Sequence, residues 1–251
     1  MSANRPFVLS IAGFDPSAGA GVLADVKTFE QHQVYGLSII TANTLQTENK
    51  FTAMQWTDLQ FVLDSVRLLF ANYAIQSVKI GIVPSLTYLE AIVSDIKKHS
   101  PDTKIVWDTV LKSTTGHEFI TIENQSAFLE ILEKIDLITP NYNEIMQLVP
   151  HHISAEKKAG LLSKHCAVLL KGGHNPNVIG TDYLYIKNEK ITLTPGTNTV
   201  AEKHGSGCVL SSAIVANLAL NHGLPKSCQN AKLYIEYYLN TNNTLLGYHY
   251  V

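Results

Sequence analysis

The sequence predicts an α/β fold with a mostly parallel central sheet and helices on both of its faces. Three observations lead there. Short, continuously apolar runs alternate with amphipathic stretches almost to the end of the chain. The runs lack the in-out alternation of a sheet with one wet face, so they read as strands covered on both sides. The segments that follow them are polar and rich in Gly, Pro and Asn, as strand-to-helix turns require.

The first run, Phe7 to Ala12, reads as a buried strand, and Val22 to Gln31 as the helix after it. Leu37 to Ala42 is apolar and β-branched, a second strand. From Asp58 to Tyr73, apolar Leu59, Val62, Leu63, Val66, Leu69, Phe70 and Tyr73 recur at helical spacing. Val78 to Val83 is a strand and Leu86 to Lys98 a helix. Ile105 to Asp108, Asp136 to Thr139 and Ala167 to Leu170 are further strands. Helices are expected at Ser126 to Lys134, Glu144 to Leu148 and Ala155 to Lys164. The rhythm breaks at Asp182 to Leu193, where two short runs flank Asn188-Glu189 like a hairpin. Two helices close the chain, about Ser206 to Asn221 and Pro225 to Leu239.

A chain of 251 residues can bury a sizeable core, and with no repeat or linker it is expected to form one domain over residues 1–251. Hydrophobic residues at 45% and charged ones at 16% exclude a disordered chain. Lys plus Arg number 19 against 21 Asp plus Glu, so no basic excess exists to meet a run of phosphates, and a nucleic-acid partner is not expected. The cysteines Cys166, Cys208 and Cys228 are too few for a disulfide framework and fit a reducing compartment. The apolar stretch at the amino terminus is too short for a signal or a membrane span. A soluble, cytoplasmic protein without membrane contact is expected.

In open α/β sheets, ligands sit outside the carboxyl ends of the strands. There the sequence gathers residues 13–21, Thr44 to Glu48, Asp108-Thr109, Asn141 to Glu144 and Lys171 to His174. Gly19-Ala20-Gly21-Val22-Leu23-Ala24 fits G-x-G-x-x-A, but the context is wrong for a dinucleotide site. Asp15, Pro16 and Ser17 separate the first glycine from the strand, and no acid ends the second strand. A P-loop sequence, H-E-x-x-H and paired C-x-x-C are absent. His204-Gly205-Ser206-Gly207-Cys208 opens a run of apolar and small residues. A Gly-rich turn feeding a helix offers free N–H groups and a positive dipole end, which suit a phosphoryl group in flight and favour a Cys208 thiolate. Close packing, with Cys208 as a small buried residue, accounts for the same pattern equally well.

Residues 11–21 with Ala24 to Phe29 resemble the opening of hydroxymethylpyrimidine/phosphomethylpyrimidine kinases. Tyr35 to Ser38, Lys79-Ile80-Gly81, Asp108-Thr109-Val110, Thr139-Pro140-Asn141 with Glu144, Lys171 to His174, and His204 to Cys208 follow in that family's order. The resemblance implies a ribokinase-like fold. It implies two ATP-dependent phosphorylations in thiamine synthesis, of the hydroxymethylpyrimidine and then of its monophosphate, with ATP as co-substrate and Mg²⁺ as cofactor. Cys208 matches a proposed catalytic cysteine, and Gly205, Ser206 and Gly207 match an anion hole. Gly13, Asp25, Gln46, Ile82 and Val110 match substrate-binding positions, with the Gln46 amide suited to an aminopyrimidine edge. Asn141 and Lys171 match positions near the ATP phosphates. Asp108 and Glu144 match those that organise Mg²⁺, through water. A homodimer is expected.

The chain departs from the family pattern at Phe14, usually Ser, at Ala18, often Gly, at Ile82, commonly Met, and in its carboxyl-terminal tail. These departures bear on the substrate more than on the reaction. The rival readings are a pyridoxal kinase of the same superfamily and a degenerate pyrimidine-binding regulatory module.

Overall fold

The computed structural model describes residues 5–112, 118–150, 152–175, 178–187, 189–196 and 201–250. Its strands are β1 (Phe7–Phe14), β2 (Tyr35–Thr47), β3 (Lys50–Trp56), β4 (Ile75–Ile80), β5 (Lys104–Trp107), β6 (Leu137–Ile138), β7 (Ala167–Leu170), β8 (Asp182–Ile186) and β9 (Glu189–Leu193). They form one sheet in the order β3-β2-β1-β4-β5-β6-β7-β8-β9. From β2 to β7 every pairing is parallel, and antiparallel β3 on one edge and β8 and β9 on the other complete the sheet. The hairpin expected near Asn188 is β8–β9, while Asn188 itself lies outside the described residues.

The helices are α1 (Gly21–Gln31), α2 (Leu59–Asn72), α3 (Leu86–His99), α4 (Gln125–Leu132), α5 (Tyr142–Leu148), α6 (Ala155–Leu162), α7 (Ser206–Ala219) and α8 (Leu224–Leu239). Asp58, Ser85, Asn124 and Ser154 start α2, α3, α4 and α6 by accepting an otherwise orphaned backbone N–H. Two apolar clusters cover the two faces of the sheet. One joins α2 to α6 with Leu9, Ile11, Val78, Ile80 and Trp107. The other joins α1, α7 and α8 with Val8, Val106, Leu137 and Leu169. Helix α7 is buried along most of its length, and its Ser211, Ser212, Ala213 and Ala216 are small enough to let it lie close against β1, β4 and β5.

The sequence reading misplaces one element. Thr44 to Glu48, expected as a turn at the pocket edge, continues β2 through Thr47, and β3 returns antiparallel beside it. A register shift between Leu45 and Gln46 leaves one extra residue in β3. Such a bulge breaks the alternation by which a strand is read from sequence.

Candidate active site

The start of α7 is built by glycine. Gly205, its N-cap, has φ 73°, and a Cβ there would lie 2.1 Å from the Gly19 carbonyl oxygen. Gly21 has φ 59°, and its Cβ would lie 2.1 Å from the Gly13 oxygen. Only glycine permits both the left-handed backbone and this approach. The loop after β1 and the loop before α7 therefore touch backbone to backbone. Asp15 locks the first loop by accepting from the N–H groups of Ser17 and Ala20, each at 2.9 Å. It joins the second through His204, whose Nε2 lies 2.9 Å from Asp15 Oδ2. Burial would raise the Asp15 carboxyl, but the bonds from His204 and Ser17 outweigh it and hold the group below the usual carboxylate range.

Facing this turn, at the carboxyl ends of β5, β6 and β7, lies a cluster of charge. Lys171 Nζ donates to Asp108 Oδ1 at 3.1 Å and lies 3.7 Å from Glu144 Oε2. Asp108 is fully buried and also accepts from Thr139 Oγ1 and Ser211 Oγ. Burial alone would raise its carboxyl, yet Lys171 and Lys79 outweigh burial and keep it ionised. Burial likewise opposes the Lys171 charge, and Asp108 and Glu144 overcome it, so the ammonium is held charged above its ordinary range. Burial wins only at Glu144, whose carboxyl is raised despite Lys171. Gly207 meets this cluster, since a Cβ there would stand 3.3 Å from Lys171 Nζ and 3.6 Å from Asp108 Oδ2. The Gly-rich turn and the lysine thus flank one space.

Asn141 is the N-cap of α5. Its Oδ1 accepts from the N–H groups of Asn143 and Glu144, and its own N–H donates to Glu144 Oε2 at 2.7 Å. This reciprocal capping box occupies the Asn141 side-chain oxygen expected near the phosphates.

Beneath the first turn of α7 lies a second ion pair. Lys79 Nζ, on β4, donates to both oxygens of Asp25, on α1, at 2.7 and 2.8 Å. Both side chains are fully buried. Ser10 and Ser212 donate to the same carboxylate at 2.5 and 2.7 Å. Asp25, expected to touch a pyrimidine, instead has its acceptors turned into the protein and joins β1, β4, α1 and α7. Asp108, expected beside the metal, is similarly enclosed by Thr139, Lys171 and Ser211. At Cys208 the helix start that favours a thiolate is opposed by burial, so the thiol is the major form near neutral pH. Burial pushes the thiol up to about 11, with Lys79 and a hydrogen bond from the Gly21 backbone opposing the rise and Asp25 and Asp108 adding to it.

The expected pocket wall is partly assembled. A Cβ on Gly13 would meet Ile82 Cδ1 at 2.6 Å, so this glycine and Ile82 adjoin at the ends of β1 and β4. Val110 follows Asp108 in a tight turn, its N–H donating to the Asp108 oxygen at 2.8 Å. Gln46 stands on the β2–β3 arm, half-buried and paired with Phe51. Lys79, Ser10, Ser212, Thr139 and Ser211 escape the sequence reading. Lys79 alone carries a signal there: a charge inside an apolar strand covered on both faces demands a buried partner.

Among the described residues no group of three or more His, Cys, Asp and Glu side chains could hold a metal ion. Mg²⁺ commonly takes one or two carboxylates and draws its other ligands from phosphates and water. The Glu144 carboxylate, mostly buried beside Lys171 with Oε2 bonded to the Asn141 N–H, fits an ion of that kind. No helix among the described residues is long and apolar enough to cross a membrane.

Comparison with known proteins gives the family. Residues 15–250 match the phosphomethylpyrimidine kinase family. The hydroxymethylpyrimidine/phosphomethylpyrimidine kinase of Aquifex aeolicus is 33% identical over 241 residues, covering 90% of this chain and 91% of that one. The crystal structure of a phosphomethylpyrimidine kinase from Clostridium difficile has a TM-score of 0.76 at 29% identity, covering 92% of this chain and 98% of that chain. The ADP complex of Bacillus subtilis pyridoxal kinase has a TM-score of 0.83 at 24% identity, covering 97% and 96%, and shares the ribokinase-like fold.

Proposed function

The chain belongs to the phosphomethylpyrimidine kinase family, and from that premise we propose that it phosphorylates 4-amino-5-hydroxymethyl-2-methylpyrimidine with ATP, and then the monophosphate to the diphosphate, in thiamine biosynthesis. One observation carries the reading: Lys171 and the start of α7 converge at Gly207, where nothing larger than hydrogen intrudes. Phosphoryl transfer asks a protein mainly for positioning and for compensation of spreading negative charge. An ammonium held charged and a helix start opposite it supply both.

In the first reaction the substrate hydroxymethyl oxygen attacks the γ-phosphorus, the bond to the β-phosphate oxygen breaks, and ADP leaves. The turn of Gly205, Ser206 and Gly207 cradles the moving phosphoryl group through the backbone N–H groups of the two glycines, the Ser206 N–H donating to the Lys203 oxygen at 3.3 Å, and Lys171 neutralises its charge. Asp108 holds Lys171 in place. Cys208 takes the hydroxymethyl proton on its sulfur, in the thiolate form. Gly13, Ile82 and Val110 face the ring, and Gln46 on its arm reads the aminopyrimidine edge. Asp25 supports the floor from below. Mg²⁺, when bound, would neutralise nucleotide phosphate charge; Glu144, fixed by Asn141, is the residue that would hold it, through water. We read the chain as one domain. The free cysteines Cys166, Cys208 and Cys228 fit a cytoplasmic setting. The open edge of β3 suits pairing with a second copy in a homodimer.

The test is product mass after ATP and Mg²⁺ are supplied with the hydroxymethylpyrimidine, its monophosphate or pyridoxal. The mono- and diphosphate of the pyrimidine are expected. Pyridoxal phosphate as the sole product would make the chain a pyridoxal kinase, and no product from any acceptor would leave only a binding module.

A further inference from the structure

Helix α8 ends at Leu239, and the chain then turns back across the loop that precedes α7. Three hydrogen bonds fasten it there. Lys203 Nζ donates to the carbonyl oxygens of Asn242 at 2.6 Å and Thr244 at 2.7 Å. The His204 N–H donates to the Leu245 oxygen at 2.9 Å. Leu246 then abuts Gly19, where an added Cβ would lie 2.7 Å from Leu246 Cδ2 and 2.8 Å from His204 Cδ2. The segment keeps its own shape, because Asn242 Nδ2 donates to the Leu246 oxygen and Asn242 Oδ1 accepts from the Thr244 N–H.

Lys203 is only 6% exposed, and its ammonium is bonded to main-chain oxygens of the tail. A buried ammonium is costly unless hydrogen-bonded, so the tail cannot leave without exposing or orphaning it. The next residue, His204, is clamped between the tail and Asp15, and Gly205 follows against the Gly19 carbonyl. The loop from Lys203 to Gly205 is thus gripped on both sides immediately before the α7 turn.

We propose that residues 242–246 form a strap that sets the position of the Gly205–Cys208 turn, with Lys203 as its positioning residue. This rests on phosphoryl transfer occurring at that turn. The strap touches neither reacting group and acts through the loop. Misplacement of a catalytic turn by about 1 Å is enough to lower turnover roughly 100-fold.

Lys203→Met removes the ammonium at similar length, and Leu246→Ala loosens the far end of the strap. In both variants, backbone hydrogen exchange at residues 204–208 should quicken, and kcat should fall about 10–100-fold with KM for ATP changed less than about threefold. Ile235→Val, in the α8 core, is the control: it lowers thermal stability while exchange at 204–208 and kcat stay as in the wild type. Unchanged exchange at 204–208 in both strap variants would overturn the proposal. Faster exchange with unaltered kcat would overturn it as well. Should the wild-type chain phosphorylate none of the three acceptors, the kinase reading fails, and the exchange measurement still decides whether the strap holds the turn.

Discussion

Removal of Lys79 tests how the floor of the site is held. Lys79→Met leaves the Asp25 carboxylate wholly buried, with Ser10 and Ser212 as its remaining donors. Breaking a buried pair by deleting one partner typically costs about 3–5 kcal/mol, because the survivor is an uncompensated charge. Two hydroxyl bonds persist here, which favours the lower end, about 3 kcal/mol. For a chain of this size each kcal/mol moves Tm by about 2–4 °C, so a fall of roughly 6–12 °C is expected. Asp25→Asn with Lys79→Met removes both charges and keeps an acceptor for the serines. The double variant should therefore be more stable than Lys79→Met alone. The assay is urea unfolding followed by circular dichroism, without ligands, for wild type, both single variants and the double. A cost below about 1 kcal/mol for Lys79→Met, or strict additivity in the double variant, would refute the reasoning.

Gln46→Leu should leave the fold intact and weaken pyrimidine binding by about 1–3 kcal/mol, seen as a raised KM for the pyrimidine alone; an unaltered KM removes Gln46 from the pocket. Glu144→Gln can still close the capping box with Asn141, so stability should hold while turnover falls and recovers in part at higher Mg²⁺; full activity would make Glu144 only a cap. Iodoacetamide should label Cys208 before the more deeply buried Cys166 and Cys228, with substrate protecting it, and equal labelling of all three would contradict its place in the pocket. His249 is pushed down to about 4 by burial and by Lys27 and His32, so the unfolded chain takes its proton first as pH falls. The stability this protects is complete above about pH 6.5 and drains away toward pH 4, by about 2 kcal/mol after screening. His249→Phe should flatten that part of the Tm profile, and an unchanged acid slope would assign the loss elsewhere.

The sheet was legible because strands covered on both faces are largely apolar, as β7 is throughout and β1 is apart from Ser10. The β2–β3 arm was not, because polar Thr44, Gln46 and Thr47 read as a loop and the bulge beside Gln46 hides the alternation. Within the site, the residue types at the carboxyl edge were legible, and the positions of Lys171, Glu144 and Gly207 agree with them. Side-chain partners were not. Asp25 and Asp108 match substrate-binding and Mg²⁺-organising positions, yet lysines on β4 and after β7 enclose their carboxylates. Cys208 shows why magnitudes decide. A helix start is worth about 0.3–1 kcal/mol, less than one pKa unit, while burial beside two carboxylates carries the thiol up to about 11.

That value makes the pH dependence of the first phosphorylation the most direct test of Cys208 as the base. With a thiol near 11, the thiolate fraction rises about tenfold for each pH unit between 7 and 9. Turnover of the hydroxymethylpyrimidine, measured at saturating ATP and Mg²⁺ across that range, should climb with it in the wild type. In Cys208→Ala it should be lower by about 10²–10⁴-fold at pH 9 and nearly flat with pH. A flat wild-type profile, or the same slope in Cys208→Ala, would contradict proton transfer to Cys208.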